Sequence, residues 1–379
     1  MKKIRVGVIF GGQSGEHEVS LASAQSVMRA LDPEKYEVVP IGITREGKWL
    51  GGSNSLRQLR EAASARGTLL APGSGGSQAQ PAAEQPTEPS RQITASRSPY
   101  AILQTGAAGV DVVFPVLHGP FGEDGTIQGL LEMAGIPYVG ARVLGSALGM
   151  DKDMQKTVFR ARGLPVVNWL AFTRHQWQDR AQAICDQVEA ELGYPCFTKP
   201  VNLGSSVGIS KAHNRPELIQ GINLAAQFDR KLLVEQAALD CREIECAVLG
   251  NDEPVASVPG EVRPRREFYD YAAKYVTDDT DLIIPAQLPA KVSDQVRLLA
   301  VQAFRAIDCA GMARVDFFVG RETGKVIVNE INTIPGFTAI SMYPKLWEAS
   351  GIGYSELVQR LVSLALQRHA EQRSGDHRQ

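Results

Sequence analysis

The chain has 379 residues, 44% of them hydrophobic and 22% charged, and its 40 basic side chains against 42 acidic ones give a formal net charge of -2. At roughly 150 residues per domain this length points to two or three globular domains, which excludes a disordered chain, a collagen or a miniature scaffold held by staples. A near-neutral balance with a pI of about 6.3 offers no basic field for sequence-independent nucleic-acid binding, so small ligands are the expected partners.

Val6 to Phe10 is a short β-branched run ending in Gly11 and Gly12, and a helical pattern through Val19, Ala22, Val27, Ala30 and Leu31 stops at Asp32 and Pro33. A second strand from Val38 to Ile43 completes a βαβ opening, whose ligands belong at the carboxyl ends of the strands. The basic and then apolar start, MKKIRVGVIFGG, reads as that first strand and not as a leader. From Ala71 to Pro99, 26 of 29 residues are Ala, Pro, Gly, Ser, Gln, Thr or Glu, and Ile93 is the only large aliphatic. Such a stretch buries too little surface to offset its ordering entropy. It is expected to be a surface insertion in the first domain, because strand patterns resume at Val110 to Leu117 and near Tyr138.

A helix from about Met150, a strand at Val166 to Phe172, a helix at Gln182 to Leu192 and strands around Cys196 to Lys199 and Gly208 to Lys211 suggest a small α+β unit. Strand signals recur at Leu232 to Glu235, Glu243 to Leu249, Met312 to Val319 and Lys325 to Asn332, with helices at Asp294 to Ala306 and Tyr354 to Arg368. The predicted class is α/β (α+β) in three parts: a βαβ domain over 1–140 with an insertion at about 71–99, a small unit over 141–231, and a larger one over 232–379 with a loop at about 261–285. Five cysteines without a C-x-x-C pair argue against disulfides and zinc. No apolar run nears the roughly 20 residues of a membrane span, so a cytoplasmic chain with neither membrane nor nucleic-acid partners is expected.

The strongest chemical signal is RVDFFVGRETGKVIVNEIN. A hairpin centred on Thr323 sets Asp316 opposite Glu330, with Asn332 two residues on along the same face. Two carboxylates and an amide, without His or Cys, make a hard oxygen site suited to Mg²⁺. The plain alternative is a solvated hairpin edge. Against it, Asp316 and Glu330 stand in strand interiors beside apolar Val315, Phe317, Val326 and Val328, where unpaired charge is costly. A one-residue slip of register would undo the arrangement.

In FTKPVNLGSSVGISK, Lys199 ends a strand before Gly204, Ser205, Ser206 and Gly208, a turn whose backbone N–H groups can approach phosphate oxygens. It is not a G-x-x-x-x-G-K-[ST] loop. Lys152 of GMDKD, at a helix head, is placed to reach the same phosphates. The segment EFYDYAAKYVTDDTD, with three tyrosines and Lys274, fits a lid. In VLHGPFGEDGTIQG, His118 follows a strand and either contacts substrate or satisfies a backbone group, while Asp124 suits a helix cap.

Assembled, these residues make a chain that closely resembles the D-alanine–D-alanine ligases of the ATP-grasp superfamily. The matching motifs, in order, are GGQSGEHEVS, HGPFGEDGTIQG, MDK, TKPVNLGSSVGISK, VEQ with REIE, FYDYAAKY, GMARVDFF and NEINTIPGFTAISMYP, covering almost the whole chain outside the insertion. The resemblance implies an ATP-grasp fold in which ATP lies between two antiparallel sheets. It implies that Glu16 holds the ammonium of the first D-alanine and joins Ser205 and Tyr275 in a network locking the lid. Lys152, Lys199 and Lys274 would contact phosphates, with Glu235, Ala238 and Glu243 near adenine and ribose. Asp316, Glu330 and Asn332 would hold two Mg²⁺ ions, or Mn²⁺ in their place. Arg314 and the Gly336 backbone would stabilise the oxyanion, and Ser341, Met342 and His118 would lie by the second substrate.

The implied activity is ATP-dependent joining of two D-alanines for peptidoglycan precursor synthesis, by a homodimer. Two departures stand out. EQAALDCRE is one residue longer than the family's usual spacing at the adenine contact, and Ala272 replaces a common acid in the lid motif. Tyr275 is retained, which favours an amino acid over D-lactate as second substrate. Competing readings are a ligase taking D-lactate or D-serine, another carboxylate–amine ligase, and a non-catalytic ATP-binding module.

Overall fold

The computed structural model describes residues 2–65, 109–264 and 280–375. The expected insertion at 71–99 and residues 265–279 of the expected lid, Lys274 and Tyr275 among them, lie outside the described residues.

Strands β1 (Ile4–Gly11) and β2 (Tyr36–Ile43) are parallel and joined by α1 (His17–Ala30), as the opening pattern predicts. Gly11 makes the turn into α1: its φ is +91°, and a Cβ there would meet the Ile43 carbonyl oxygen at 2.2 Å, so no side chain fits. β4 (Val112–Val116) pairs in parallel on the other side of β1, and β3 (Trp49–Gly51) closes the far edge antiparallel to β2. Helix α2 (Ser55–Ala65) packs on β2.

After β4 come α3 (Thr126–Met133), α4 (Val143–Met150) and α5 (Lys152–Ala161). The helix expected from about Met150 is α5, and α4 is a further helix ahead of it that was not expected from the sequence. Asp151 separates them, leaving helical geometry and accepting hydrogen bonds from the Asp153 and Met154 N–H groups as the N-cap of α5. Asp124 is not the cap of α3. Gly125 holds that position, and Asp124 instead accepts from Phe121 and Thr126 N–H to fix the preceding turn.

The second sheet has the order β5-β8-β6-β7, from β5 (Trp169–Thr173), β8 (Lys231–Gln236), β6 (Cys196–Pro200) and β7 (Ser210–Ala212), all antiparallel. Helices α6 (Arg174–Glu191) and α7 (Arg215–Ala225) cover it. α6 begins eight residues before the expected Gln182, at a capping box between Thr173 and Gln176. β8 belongs to this sheet, so the break drawn at 231/232 falls inside a packed unit that runs on to Gln236.

The third sheet has the order β12-β11-β9-β13-β14 with β10 (Val255–Ala256) off β9. Its long strands are β9 (Cys241–Gly250), β13 (Gly311–Gly320) and β14 (Val326–Asn332). α8 (Ala290–Ala306) packs over them through Val296, Ala300, Ala303 and Phe304. The stems of the expected lid are β11 (Gly260–Pro264) and β12 (Thr280–Ile283), paired antiparallel. Two further helices, α9 (Met342–Ala349) and α10 (Tyr354–Gly375), share a core with β1, β4 and α1, which seats the first sheet against the third. No helix among the described residues is long and apolar enough to cross a membrane.

Candidate active site

The acid pair depends on the register of β13 and β14. Asp316 pairs with Glu330 and Arg314 with Asn332, but Phe317 pairs with Val328, so Asn329 is an extra residue in a β-bulge. Strict alternation would have put Val326, Val328, Glu330 and Asn332 on one face. The bulge turns the strand over, so Val326 and Val328 stay buried while Glu330 and Asn332 reach the cleft beside Asp316. The hairpin is therefore not centred on Thr323 along its whole length. That centring holds only beyond the bulge, where the acids are.

Around the pair, Arg314 donates to both oxygens of Asp316 at 2.7 Å, and its Nε lies 3.0 Å from Glu245 Oε2. Asn332 Nδ2 donates to Asp316 Oδ2 at 3.2 Å. Lys152 Nζ lies 4.0 Å from Glu330 and donates at 2.6 Å to the Leu203 carbonyl. That second bond ties the head of α5 to the Gly/Ser turn. Ser205 and Ser206 take positive φ in this turn, at 51° and 59°, and Ser205 Oγ donates to Glu16. Two of the three residues expected to lock the lid are thus in contact; Tyr275 lies outside the described residues.

Glu16 ends the loop after β1. Its Oε2 sits where a Cβ on Gly119 would approach to 2.9 Å, and Gly119 has φ +73°, so glycine leaves room for the carboxylate. His118 is buried beside it, Nδ1 3.1 Å from the Ile334 carbonyl and 4.0 Å from Glu123 Oε1. Burial works against its protonation, but the hydrogen bond and charge of Glu123, with the charge of Glu16, raise its pKa. The Glu123 carboxyl is itself raised by burial and by Glu16. Ser341 caps the start of α9 just before Met342, its Oγ 2.7 Å from Thr338 Oγ1 and close to Gly336.

Glu235 lies between two lysines: Lys199 donates to one oxygen, and Lys156 Nζ is 3.2 Å from the other. Burial alone would raise this carboxyl, but the charges and hydrogen bonds of Lys156 and Lys199 outweigh it and hold it at about 2. Burial lowers the Lys199 pKa, but the charges of Glu235, Glu330 and Glu243 and the hydrogen bond to Glu235 outweigh it and raise it.

Two cavities result. One, of about 170 Å³, is lined by Glu16, His118, Arg314, Gly336, Ser341 and Met342 among others. The other, of about 270 Å³ between the second and third sheets, is lined by Lys199, Glu235, Ala238 and Glu243, with Phe197 and Phe318 giving it apolar walls. Both are bordered by Lys152, Gly204, Ser205 and Glu330. The expected site residues within the described part therefore gather around two chambers with one shared wall, except Asp316, which lines neither and stands behind Arg314 and Asn332. Glu123, Glu245 and Lys156 were not singled out in the sequence. Glu245 follows Glu243 by two on β9, so alternation alone would have found it. Lys156 gave no such signal, because its partners lie in β8 and β14.

A parallel-sheet domain beside two antiparallel sheets that face each other across a charged cleft defines an ATP-grasp architecture. The family models for the D-ala D-ala ligase N-terminus and C-terminus match residues 5–141 and 158–363. The chain belongs to the D-alanine–D-alanine ligase family. It is 51% identical over 383 residues to the D-alanine--D-alanine ligase of Ruminiclostridium cellulolyticum, covering 98% of each chain. It is 49% identical to that of Natranaerobius thermophilus over 98% of this chain and 97% of the relative. Among solved structures, the D-alanine–D-alanine ligase from Coxiella burnetii superposes with a TM-score of 0.80 at 37% identity, covering 99% of this chain and 97% of that one. The VanG D-Ala:D-Ser ligase from Enterococcus faecalis gives 0.78 at 34% identity, over 96% and 100%.

Proposed function

We propose that this chain is an ADP-forming ligase that joins two D-alanine molecules into D-alanyl-D-alanine, a peptidoglycan precursor. The observation carrying the reading is the shared wall of the two cavities: Lys152, Ser205 and Glu330 border both, so a γ-phosphate in one chamber meets a carboxylate in the other. Condensing a carboxylate with an amine in water requires activation. The carboxylate of the first D-alanine, its ammonium on Glu16, attacks the γ-phosphorus; the bond to the β,γ-bridging oxygen breaks, ADP leaves and an acyl phosphate remains. Lys152 and Lys199, with Lys274 from the lid, balance the phosphate charge. Glu235, Ala238 and Glu243 take the adenosine end, between Phe197 and Phe318.

The second D-alanine sets its carboxylate at Ser341 and Met342, at the start of α9, where free N–H groups and the helix dipole favour an anion. Its amine, once deprotonated, attacks the acyl carbonyl beside His118, and the C–O bond to phosphate breaks as the tetrahedral intermediate collapses, releasing inorganic phosphate. Arg314 and the Gly336 N–H receive the negative charge developing on that oxygen. A lid carrying Tyr275 and closing onto Ser205 and Glu16 keeps water from the acyl phosphate.

Glu330 at the shared wall, with its neighbours Asp316 and Asn332, makes a donor set that suits a divalent cation. Asp316 and Glu330 face each other in register, Asn332 adds an amide, and no soft ligand intrudes. These three residues would hold two Mg²⁺ ions, or Mn²⁺, which when bound supply charge neutralisation for phosphoryl transfer. The expected assembly is a homodimer, read as the mass in solution by light scattering.

Mass spectrometry of products after incubation with ATP, Mg²⁺ and D-alanine tests the proposal, with D-serine and D-lactate offered in parallel as second substrates. D-alanyl-D-alanine with one phosphate released per bond supports it. Preferential use of D-serine or D-lactate moves the reading to the second substrate, and ATP binding without any product rejects it.

A further inference from the structure

Lys156 follows Lys152 by one turn of α5, so both ammonium groups leave the same side of the helix. Lys152 ends at the shared wall of the cavities, whereas Lys156 ends in the interior, 2% exposed. Its Nζ lies 3.2 Å from Glu235 Oε2 and donates at 3.2 Å to the carbonyl of Asn329, the bulged residue of β14. Lys199 donates to the other Glu235 oxygen. One buried carboxylate on β8 is thus flanked by an ammonium from β6 and another from α5.

The two flanking groups differ in access. Lys199 and Glu235 line the cleft between the second and third sheets, and Lys156 lies behind them. A Lys199–Glu235 pair on its own would be neutral. Drawing Lys199 toward an anionic ligand would then strand a buried carboxylate without a counterion, which is strongly unfavourable. Burial and the charge of Lys199 lower the Lys156 pKa while Glu235 works the other way; with Lys156 as an ammonium, Glu235 keeps a cation whichever way Lys199 turns.

We infer that Lys156 is a positioning residue, the standing counterion of Glu235 that leaves Lys199 free to serve the phosphates of a bound nucleotide. The inference rests on reading this cleft as the ATP site. It touches neither substrate nor nucleotide, and its grip on the Asn329 carbonyl fixes it to the strand that carries Glu330.

Two substitutions separate charge from structure. Lys156→Gln retains a donor for the Asn329 carbonyl and removes the charge; Lys156→Arg retains the charge. ATP binding to the full chain is measured by calorimetry, with kcat and both KM values alongside and the fold checked by circular dichroism. The Gln variant is expected to weaken ATP binding and raise the ATP KM by on the order of tenfold, with the D-alanine KM and kcat within about threefold of the parent. The Arg variant is expected to recover most of the ATP affinity. A folded Gln variant that binds ATP as the parent does overturns the inference. So does an equal loss in both variants, or a Gln variant that cannot fold, since either makes Lys156 a structural tie alone. A parent chain that does not bind ATP defeats the reading of the cleft instead.

Discussion

Arg314 answers two carboxylates at once, both oxygens of Asp316 and one of Glu245, and this fixes the plane of its guanidinium at the edge of the substrate chamber. A planar donor fork held from two sides is preorganised for an oxyanion and needs no rearrangement when charge develops. Arg314→Ala is expected to lower kcat on the order of a hundredfold or more, with little change in either KM. The protein should remain folded, because the side chain is half-buried in a polar cleft and removing it opens no cavity in the apolar core below β13. Steady-state kinetics beside circular dichroism check both halves, and unchanged turnover rejects the role. The placement of site residues was legible where it follows from one motif: Asp316, Glu330 and Asn332 were read as one cluster on paired strands and lie together, and Lys199 was read at a strand end before the Gly/Ser turn and lines the cleft. Lys156 was not legible, since nothing in KDMQKTVF tells which lysine of an amphipathic helix will be buried against a carboxylate about 80 residues on.

The bulge in β14 shows what a single backbone irregularity does for an entire element. β14 is the edge strand of its sheet, and α5 supplies the partners its outer edge lacks: Gln155 bonds the Ile331 N–H and carbonyl, and Lys156 bonds the Asn329 carbonyl. All these bonds go to backbone atoms, so the bulge is pinned without help from the Asn329 side chain. Deleting Asn329 would remove the bulge yet leave Val326, Val328 and Ile331 on the apolar face and Glu330 and Asn332 on the cleft face, since the remaining residues then alternate strictly. The deletion removes the Asn329 carbonyl that Lys156 holds and is expected to lower the melting temperature more than Asn329→Ala, which stays within about 1 kcal/mol of the parent. Thermal unfolding of the two variants decides it. Alternation and turn chemistry were enough to find both strands and to name the buried valines, yet the same alternation placed the valines and Glu330 on one face. Bulges carry no local sequence mark, and only the packing of α5 against the edge reveals this one. The early start of α6 was missed for the opposite reason, because its capping box is a local signal in Thr173 to Gln176 that apolar periodicity does not weigh.

At the scale of the whole molecule, no single sheet holds the site. The first sheet brings Glu16 and His118, the second brings Lys199 and the Ser205 turn, and the third brings Arg314 and Glu330; among the described residues the three come together around the two chambers. A ligand spanning the second and third sheets therefore adds a link that the apolar cores do not supply, since the second sheet has a core of its own. Binding to the folded state alone stabilises by RT ln(1 + [L]/Kd), about 2.7 kcal/mol at a hundredfold excess over Kd. ATP with Mg²⁺ is accordingly expected to raise the melting temperature by a few degrees, and more than D-alanine does at the same multiple of its own Kd, because the chamber proposed for D-alanine is lined mainly from the first and third sheets and their loops. Hydrogen exchange locates the effect. Amides in β6, β7 and the turn at 203–208 should slow on ATP addition together with those of β13 and β14, as local opening of either jaw then requires releasing the nucleotide. Slowing confined to β13 and β14 would mean that the third sheet binds ATP alone, and the second sheet would then have no part in holding the phosphates.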